Sequence, residues 1–291
     1  MAGLLGGMSK AVTKLVTASS NSSQLERINR ALSRLSLDVE AKLRILKAES
    51  TPLPDIQSFS GGKIEASIMG GDNAPWANIE LPERTTPGMV SPEECQYYMY
   101  IGQYYRGHGE LVELGPWLGR STYFILEGLK SNPNASDKKL YVFDDFIWRA
   151  HWMDSDDYQQ AHHSDFQPLF EEHSKDLLDK IEVQKRKFVT YDGNANVEAL
   201  KWHGAPIEIL YVDCGRTMEA NEAWWKTLSP YLIPGKSLLV LEDWNTHRQV
   251  PKQWFNQIDQ WVASKGDSLQ MLHELERGGI ATFLYHGTPE S

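Results

Sequence analysis

The chain has 291 residues, 41% of them hydrophobic, enough to bury a sizeable core in one domain of about 200 residues with an appendage. Twenty-nine Lys and Arg against 39 Asp and Glu give a formal net charge of -10, and no basic run is long enough to track a phosphate backbone, so nucleic acid is not an expected partner. The two cysteines, Cys95 and Cys214, fit neither a disulfide framework nor a zinc spacing, which points to a reducing, cytoplasmic compartment.

In chain order, the first 16 residues have lysines inside and after the apolar residues, so neither a secretory signal nor a membrane span is expected. Residues 22 to 47 carry Leu25, Ile28, Leu32, Leu35, Val39, Leu43 and Leu46 at spacings of three and four. This pattern predicts a long amphipathic helix capped by Ser22 or Ser23, with a stripe narrow enough for self-association into a homo-oligomer. Residues 1–50 are therefore read as a helical extension, and 51–90, rich in Pro, Gly and Ser, as an irregular connector with room for one hairpin.

From residue 91 to 291 the pattern alternates. A helix over 92–106 precedes the strand ELVELG, and a second helix follows Gly119. The strand KLYVFD leads into a polar helical stretch through Lys180. Next come IEVQKRKFV, a short helix over 195–201, the strand IEILYVD, a helix with Trp224 and Trp225, and the strand SLLVLED. A helix over 250–264 and two strands joined by the Gly278-Gly279 turn close the chain. The prediction is a doubly wound α/β domain, a mostly parallel seven-stranded sheet with an antiparallel C-terminal hairpin. Such sheets bind ligands beyond the C-terminal strand ends, where the strand order reverses.

Carboxylates stand at or near those ends: Glu113, Asp144 with Asp145, Asp192, Asp213, and Glu242 with Asp243. A single one suits a helix N-terminus, but five successive positions suggest a site. Gly115 and Gly119 allow a sharp turn and close backbone approach, and Ser121 and Thr122 bring hydroxyls to the first helical turn. The spacing G-x-x-x-G is not that of a dinucleotide loop, and Glu113 would repel a pyrophosphate while attracting an ammonium or sulfonium. Asp144, at the end of the next strand, is placed to accept both hydroxyls of a ribose. On these grounds Gly115→Val is expected to block the ligand and spare the fold.

VELGPWLGRST, YVFDDF, YDGNA, ILYVDCG and LVLEDW together resemble the class I S-adenosylmethionine-dependent methyltransferases, in particular the macrocin-type sugar O-methyltransferases, over roughly residues 90 to 286. The resemblance implies a Rossmann-like fold that binds S-adenosylmethionine, with Glu113, Gly115, Gly119 and Ser121 at its methionine part. It places Asp144 on the ribose, Asp192, Gly193 and Asn194 beside the adenine, and magnesium on Asp213, Glu242 and Asp243. The chain departs from the family where DCGRTMEA replaces a second aspartate by Gly215, and where Glu242-Asp243 stands for paired aspartates.

The implied reaction is methylation of a hydroxyl on a sugar or other small-molecule acceptor. A catechol-like phenol is an alternative acceptor, and a non-catalytic assembly protein an alternative role. His247, just past the fifth strand, is the first candidate for the base that takes the hydroxyl proton, with His273 second. Most of the ten tryptophans are expected to pack in the core, and the segment 146–166 to form a lid.

Overall fold

The computed structural model describes residues 68–69, 74–84, 86–103, 105–245, 257–275 and 279–287. The helix expected over 22–47 and the candidate base His247 lie outside them. The chain divides into two units. Residues 53–148 with 163–291 hold the sheet, and residues 1–52 with 149–162 form the other unit. The described part of the latter is 149–162, where the one-turn helix α3 (Ala150–Met153) is tied at its start by the Ala150 N–H donating to His162 Nδ1 at 3.2 Å.

Eight strands make one sheet: β1 (Ile68–Met69), β2 (Glu110–Leu114), β3 (Leu140–Asp144), β4 (Ile181–Lys185), β5 (Ile207–Val212), β6 (Leu238–Leu241), β7 (Leu269–Leu275) and β8 (Ala281–Tyr285). Their spatial order is β1-β7-β8-β6-β5-β2-β3-β4, and only β8 runs antiparallel to its neighbours β6 and β7. The seven expected strands are present, and the eighth, β1, is a two-residue edge strand inside the segment read as a connector. Chain order reverses at β2, which has β3 on one side and β5 on the other.

The central strands follow from sequence. All six residues of β5 and all four of β6 are buried apolar positions save Glu208, as a strand covered on both faces requires. Buried Glu208 is satisfied by backbone: its carboxylate accepts from the N–H groups of Arg106, His108 and Gly109, holding the turn that leads into β2.

Helix α1 (Pro92–Gly102) starts at a capping box, with the Ser91 hydroxyl accepting from the Glu94 N–H and Glu94 accepting from the Ser91 N–H at 2.6 Å, and Pro92 in its first turn. Helix α2 (Arg120–Lys130) packs tightly against it. A Cβ on Gly128 would lie 2.4 Å from the Met99 carbonyl oxygen, so only glycine permits this crossing. Helices α4 (Gln167–His173), α5 (Met218–Leu228) and α6 (Ile258–Ser264) complete the described set.

Three elements differ from expectation. The polar stretch through Lys180 yields only short helices, because Asp, Ser and His runs in 154–165 carry no apolar stripe for a longer one to bury. The helix expected over 195–201 is absent; the chain there is extended enough for Lys187 to bridge Ala199 in parallel. Strand β4 ends at Lys185, so Asp192 lies in a loop well beyond it.

The main core lies between β5, β6, β8 and helices α5 and α6. Trp224 and Trp261 are fully buried with ring centroids 5.0 Å apart, and Trp225 lies edge-on to Trp261 at 5.4 Å. Tryptophan at these positions supplies large apolar area, and the indole N–H groups find Asn221 Oδ1 and Glu222 Oε1.

Candidate active site

Gly115, Asp213 and Glu242 follow β2, β5 and β6 at one level. The Asp213 N–H donates to the Leu114 carbonyl at 2.8 Å and the Glu242 N–H to the Val212 carbonyl at 2.9 Å. Because paired residues of parallel strands face the same side, Glu113 shares a face with Tyr211, and Asp213 with Glu242. Helix α1 covers that face: the Tyr98 ring lies 5.8 Å from the Tyr211 ring, and its hydroxyl is bonded to Glu242. The crevice thus opens where the strand order reverses, as the fold class dictates.

The loop 115–119 makes three left-handed residues, Gly115 (φ 86), Trp117 (φ 45) and Gly119 (φ 95). Added Cβ atoms show what the glycines are for. One on Gly115 would lie 2.5 Å from the Asp213 carbonyl oxygen, and one on Gly119 2.6 Å from Ser174 Oγ. Both glycines therefore meet a demand of the protein's own packing.

Glu113 is tied to the same turn. It is buried, Oε1 accepts from Ser121 Oγ and Oε2 from Thr122 Oγ1, each at 2.6 Å. Its carboxylate ties the first turn of α2 to the end of β2 and is already engaged by that turn. Burial raises its pKa to about 7, against the two hydrogen bonds, which lower it.

On the other side of β2, Asp144 Oδ1 accepts from the Phe146 N–H at 2.7 Å. Its neighbour Asp145, buried, accepts from the Ile147 N–H at 3.1 Å and from Asn194 Nδ2 at 2.8 Å. Asn194 is fully buried and accepts from the Tyr191 N–H at 2.8 Å, so it pins the loop 189–194 to the end of β3. Asp192 pairs with His163 Nε2 at 2.9 Å, and Gly193 (φ 83) lies against the same imidazole. Asp144, Asp192, Gly193 and Asn194 are thus brought together along one side of the crevice, with Asp145 as the connector. The Asp144-Asp145 doublet was the sequence signal for it.

The acidic end is a group of carboxylates. Burial and then the Asp243 charge push the Asp213 pKa well above the carboxylate range, while Arg216 pulls it down. Glu242 is raised likewise by burial, then by Glu94, Asp213 and Asp243, with the Tyr98 hydrogen bond opposing. Asp243, held at φ 57, makes an ion pair with Arg216 Nε. Arg216 lies where the chain departs from the family pattern, and its part was not read from sequence. His273, the second candidate base, stands on β7. It lies in an aromatic cluster, 3.0 Å from the Tyr97 hydroxyl and 5.9 Å from the Trp76 ring, where burial lowers its pKa.

The fold is a doubly wound α/β sheet whose crevice opens at the C-terminal strand ends. Residues 112–244 match the family model of a methyltransferase domain, and the chain resembles the class I S-adenosylmethionine-dependent methyltransferases. Among solved structures it is similar to the methyltransferase PaMTH1 of Podospora anserina bound to S-adenosylhomocysteine, at 10% identity over 68% of this chain and 80% of that one, TM-score 0.43. It is also similar to the O-methyltransferase TomG of Streptomyces achromogenes in complex with S-adenosylmethionine, at 12% identity over 68% and 82%, TM-score 0.45. An O-methyltransferase of Bacillus cereus gives 15% identity over 68% and 84%, TM-score 0.43. No curated protein matches the chain.

Proposed function

We propose that the chain transfers a methyl group from S-adenosylmethionine to a hydroxyl of a sugar or glycosylated small molecule. The observation that carries this reading is the convergence of Asp213, Glu242 and Asp243 on adjacent strand ends beside the loop 115–119. In the step itself the acceptor oxygen attacks the methyl carbon in line with sulfur. The O–C bond forms, the C–S bond breaks, the sulfonium becomes a thioether, and the hydroxyl proton leaves to a base. A sugar hydroxyl is a weak acid, so the site must stabilise oxyanion character and orient the oxygen.

The residues fit a divalent ion. Asp213, Glu242 and Asp243 present hard oxygen donors, and buried Glu242 Oε2 has no hydrogen-bond partner. Three carboxylates this close repel one another, a cost that a cation removes. A magnesium ion held there would lower the pKa of the acceptor hydroxyl. Arg216 keeps Asp243 oriented through its ion pair, and Tyr98 fixes Glu242. That same ion pair favours a second reading, in which the Arg216 guanidinium supplies the positive charge and His247 works without metal.

The remaining parts of the reading rest on sequence. Asp144 would hold the ribose, and the loop with Asp192, Gly193 and Asn194 would border the adenine. The helix over 22–47 would join copies of the chain into a homo-oligomer in the cytoplasm. No helix among the described residues is long and apolar enough to cross a membrane. The test is calorimetry with S-adenosylmethionine, with and without magnesium, followed by a screen of glycoside and catechol acceptors. Turnover of catechols alone would replace the sugar by a phenol, and cofactor binding without turnover of any acceptor would favour an assembly role.

A further inference from the structure

Glu94 stands in the first turn of α1, where its carboxylate closes the capping box. In an ordinary capping box that side chain serves the helix alone. Here the residue is buried and its two oxygens are divided. Oε2 accepts from the Ser91 N–H at 2.6 Å, while Oε1 accepts from the N–H of Gly279, 185 residues further along the chain in the turn between β7 and β8.

Gly279 passes that hold to the acidic end of the crevice. Its carbonyl accepts from the Trp244 N–H at 2.6 Å, which extends the antiparallel pairing of β6 and β8 past Leu241 and Ala281. A Cβ on Gly279 would lie 3.3 Å from both the Asp243 nitrogen and Glu94 Oε1, so the turn is pressed between the two. Asp243 needs such support, because it is held at φ 57, a left-handed conformation that an aspartate keeps only where its surroundings fix it. Arg216 draws its carboxylate, and the following peptide is fastened to Gly279. Tyr98, one turn after Glu94 on α1, is bonded to Glu242, so one face of the helix reaches both carboxylates that follow β6.

We infer that Glu94 is a positioning residue for the acceptor end of the site: through Gly279 it fixes the left-handed Asp243, so that the Asp243 carboxylate meets those of Asp213 and Glu242. The inference rests on the carboxylate reading under the proposed function and adds to it the residue that sets its geometry. Capping α1 alone would not bring an oxygen of Glu94 to Gly279.

Two readouts on the full-length protein test this: hydrogen exchange at the Gly279 and Trp244 amides, and equilibrium binding of manganese alone, followed by electron paramagnetic resonance. Glu94→Ala removes both bonds, Gly279→Ala wedges a methyl group between Asp243 and Glu94, and Ser91→Ala weakens the cap while sparing Glu94. In Glu94→Ala and Gly279→Ala, exchange at Trp244 should quicken by about tenfold or more, and manganese should bind about tenfold more weakly. Ser91→Ala should keep wild-type values for both while its melting temperature falls. Equal losses in Ser91→Ala and Glu94→Ala would reduce Glu94 to a helix cap and overturn the inference, as would wild-type exchange at Trp244 in Glu94→Ala. A wild type that binds no manganese removes the metal from the proposed function. Exchange that quickens in Glu94→Ala and not in Ser91→Ala then still upholds Glu94 as the residue that fixes Asp243.

Discussion

Thr122 Oγ1 donates to Glu113 Oε2 at 2.6 Å, and this bond, with its twin from Ser121, fastens the start of α2 to the end of β2 inside the protein. A buried carboxyl with a pKa near 7 makes that fastening sensitive to pH. The folded state holds the Glu113 proton more tightly than the unfolded chain, whose carboxyl titrates near 4.5. The contribution to stability is therefore complete below pH 4.5 and is lost as pH rises through about 7. Glu113→Gln should flatten the fall in melting temperature between these values, as followed by circular dichroism.

Gly115→Val should destabilise the fold by about 2 kcal/mol or more, through a left-handed backbone that valine resists and a clash with Asp213 O. The sequence suggested that this variant would fold and only lose its ligand, because nothing in it reveals how closely the two strand ends approach. Chemical denaturation measures the loss, and a midpoint equal to wild type would contradict the packing described.

Asp213→Asn should reduce turnover by about a hundredfold while leaving affinity for S-adenosylmethionine nearly unchanged, since the carboxylate acts on the acceptor oxygen. Chelator should have the same effect on wild type under the metal reading. Full activity in chelator would transfer the positive charge to Arg216, and Arg216→Met should then be the inactive variant.

Deletion of residues 1–50 should lower the molar mass seen in light scattering to that of one chain. A full-length protein that is monomeric at high concentration would end the proposal that the helix over 22–47 joins copies.

Much of the architecture was legible because buried parallel strands write themselves as apolar runs: IEILYV and LLVL allow little else between glycine-rich and acidic boundaries. The strand ends carrying Gly115, Asp144, Asp213 and Glu242 followed from that periodicity. The loops were less legible, since 186–200 has no period and is shaped by Asn194 meeting Asp145, a contact distant in sequence. Partner identity was hidden for the same reason. Glu113 was visible as a strand-end acid, but that its oxygens belong to Ser121 and Thr122 depends on the turn of the backbone through Trp117. Arg216 on Asp243 brings together the segments that follow β5 and β6, 27 residues apart in the chain.

The central claim is that the crevice at the ends of β2, β3 and β5 takes S-adenosylmethionine, and equilibrium dialysis of the full-length protein against radiolabelled S-adenosylmethionine in magnesium tests it most directly. The account predicts saturable binding at one site per chain, displaced by S-adenosylhomocysteine and retained in Asp213→Asn. No saturable binding to a protein that melts cooperatively would contradict it.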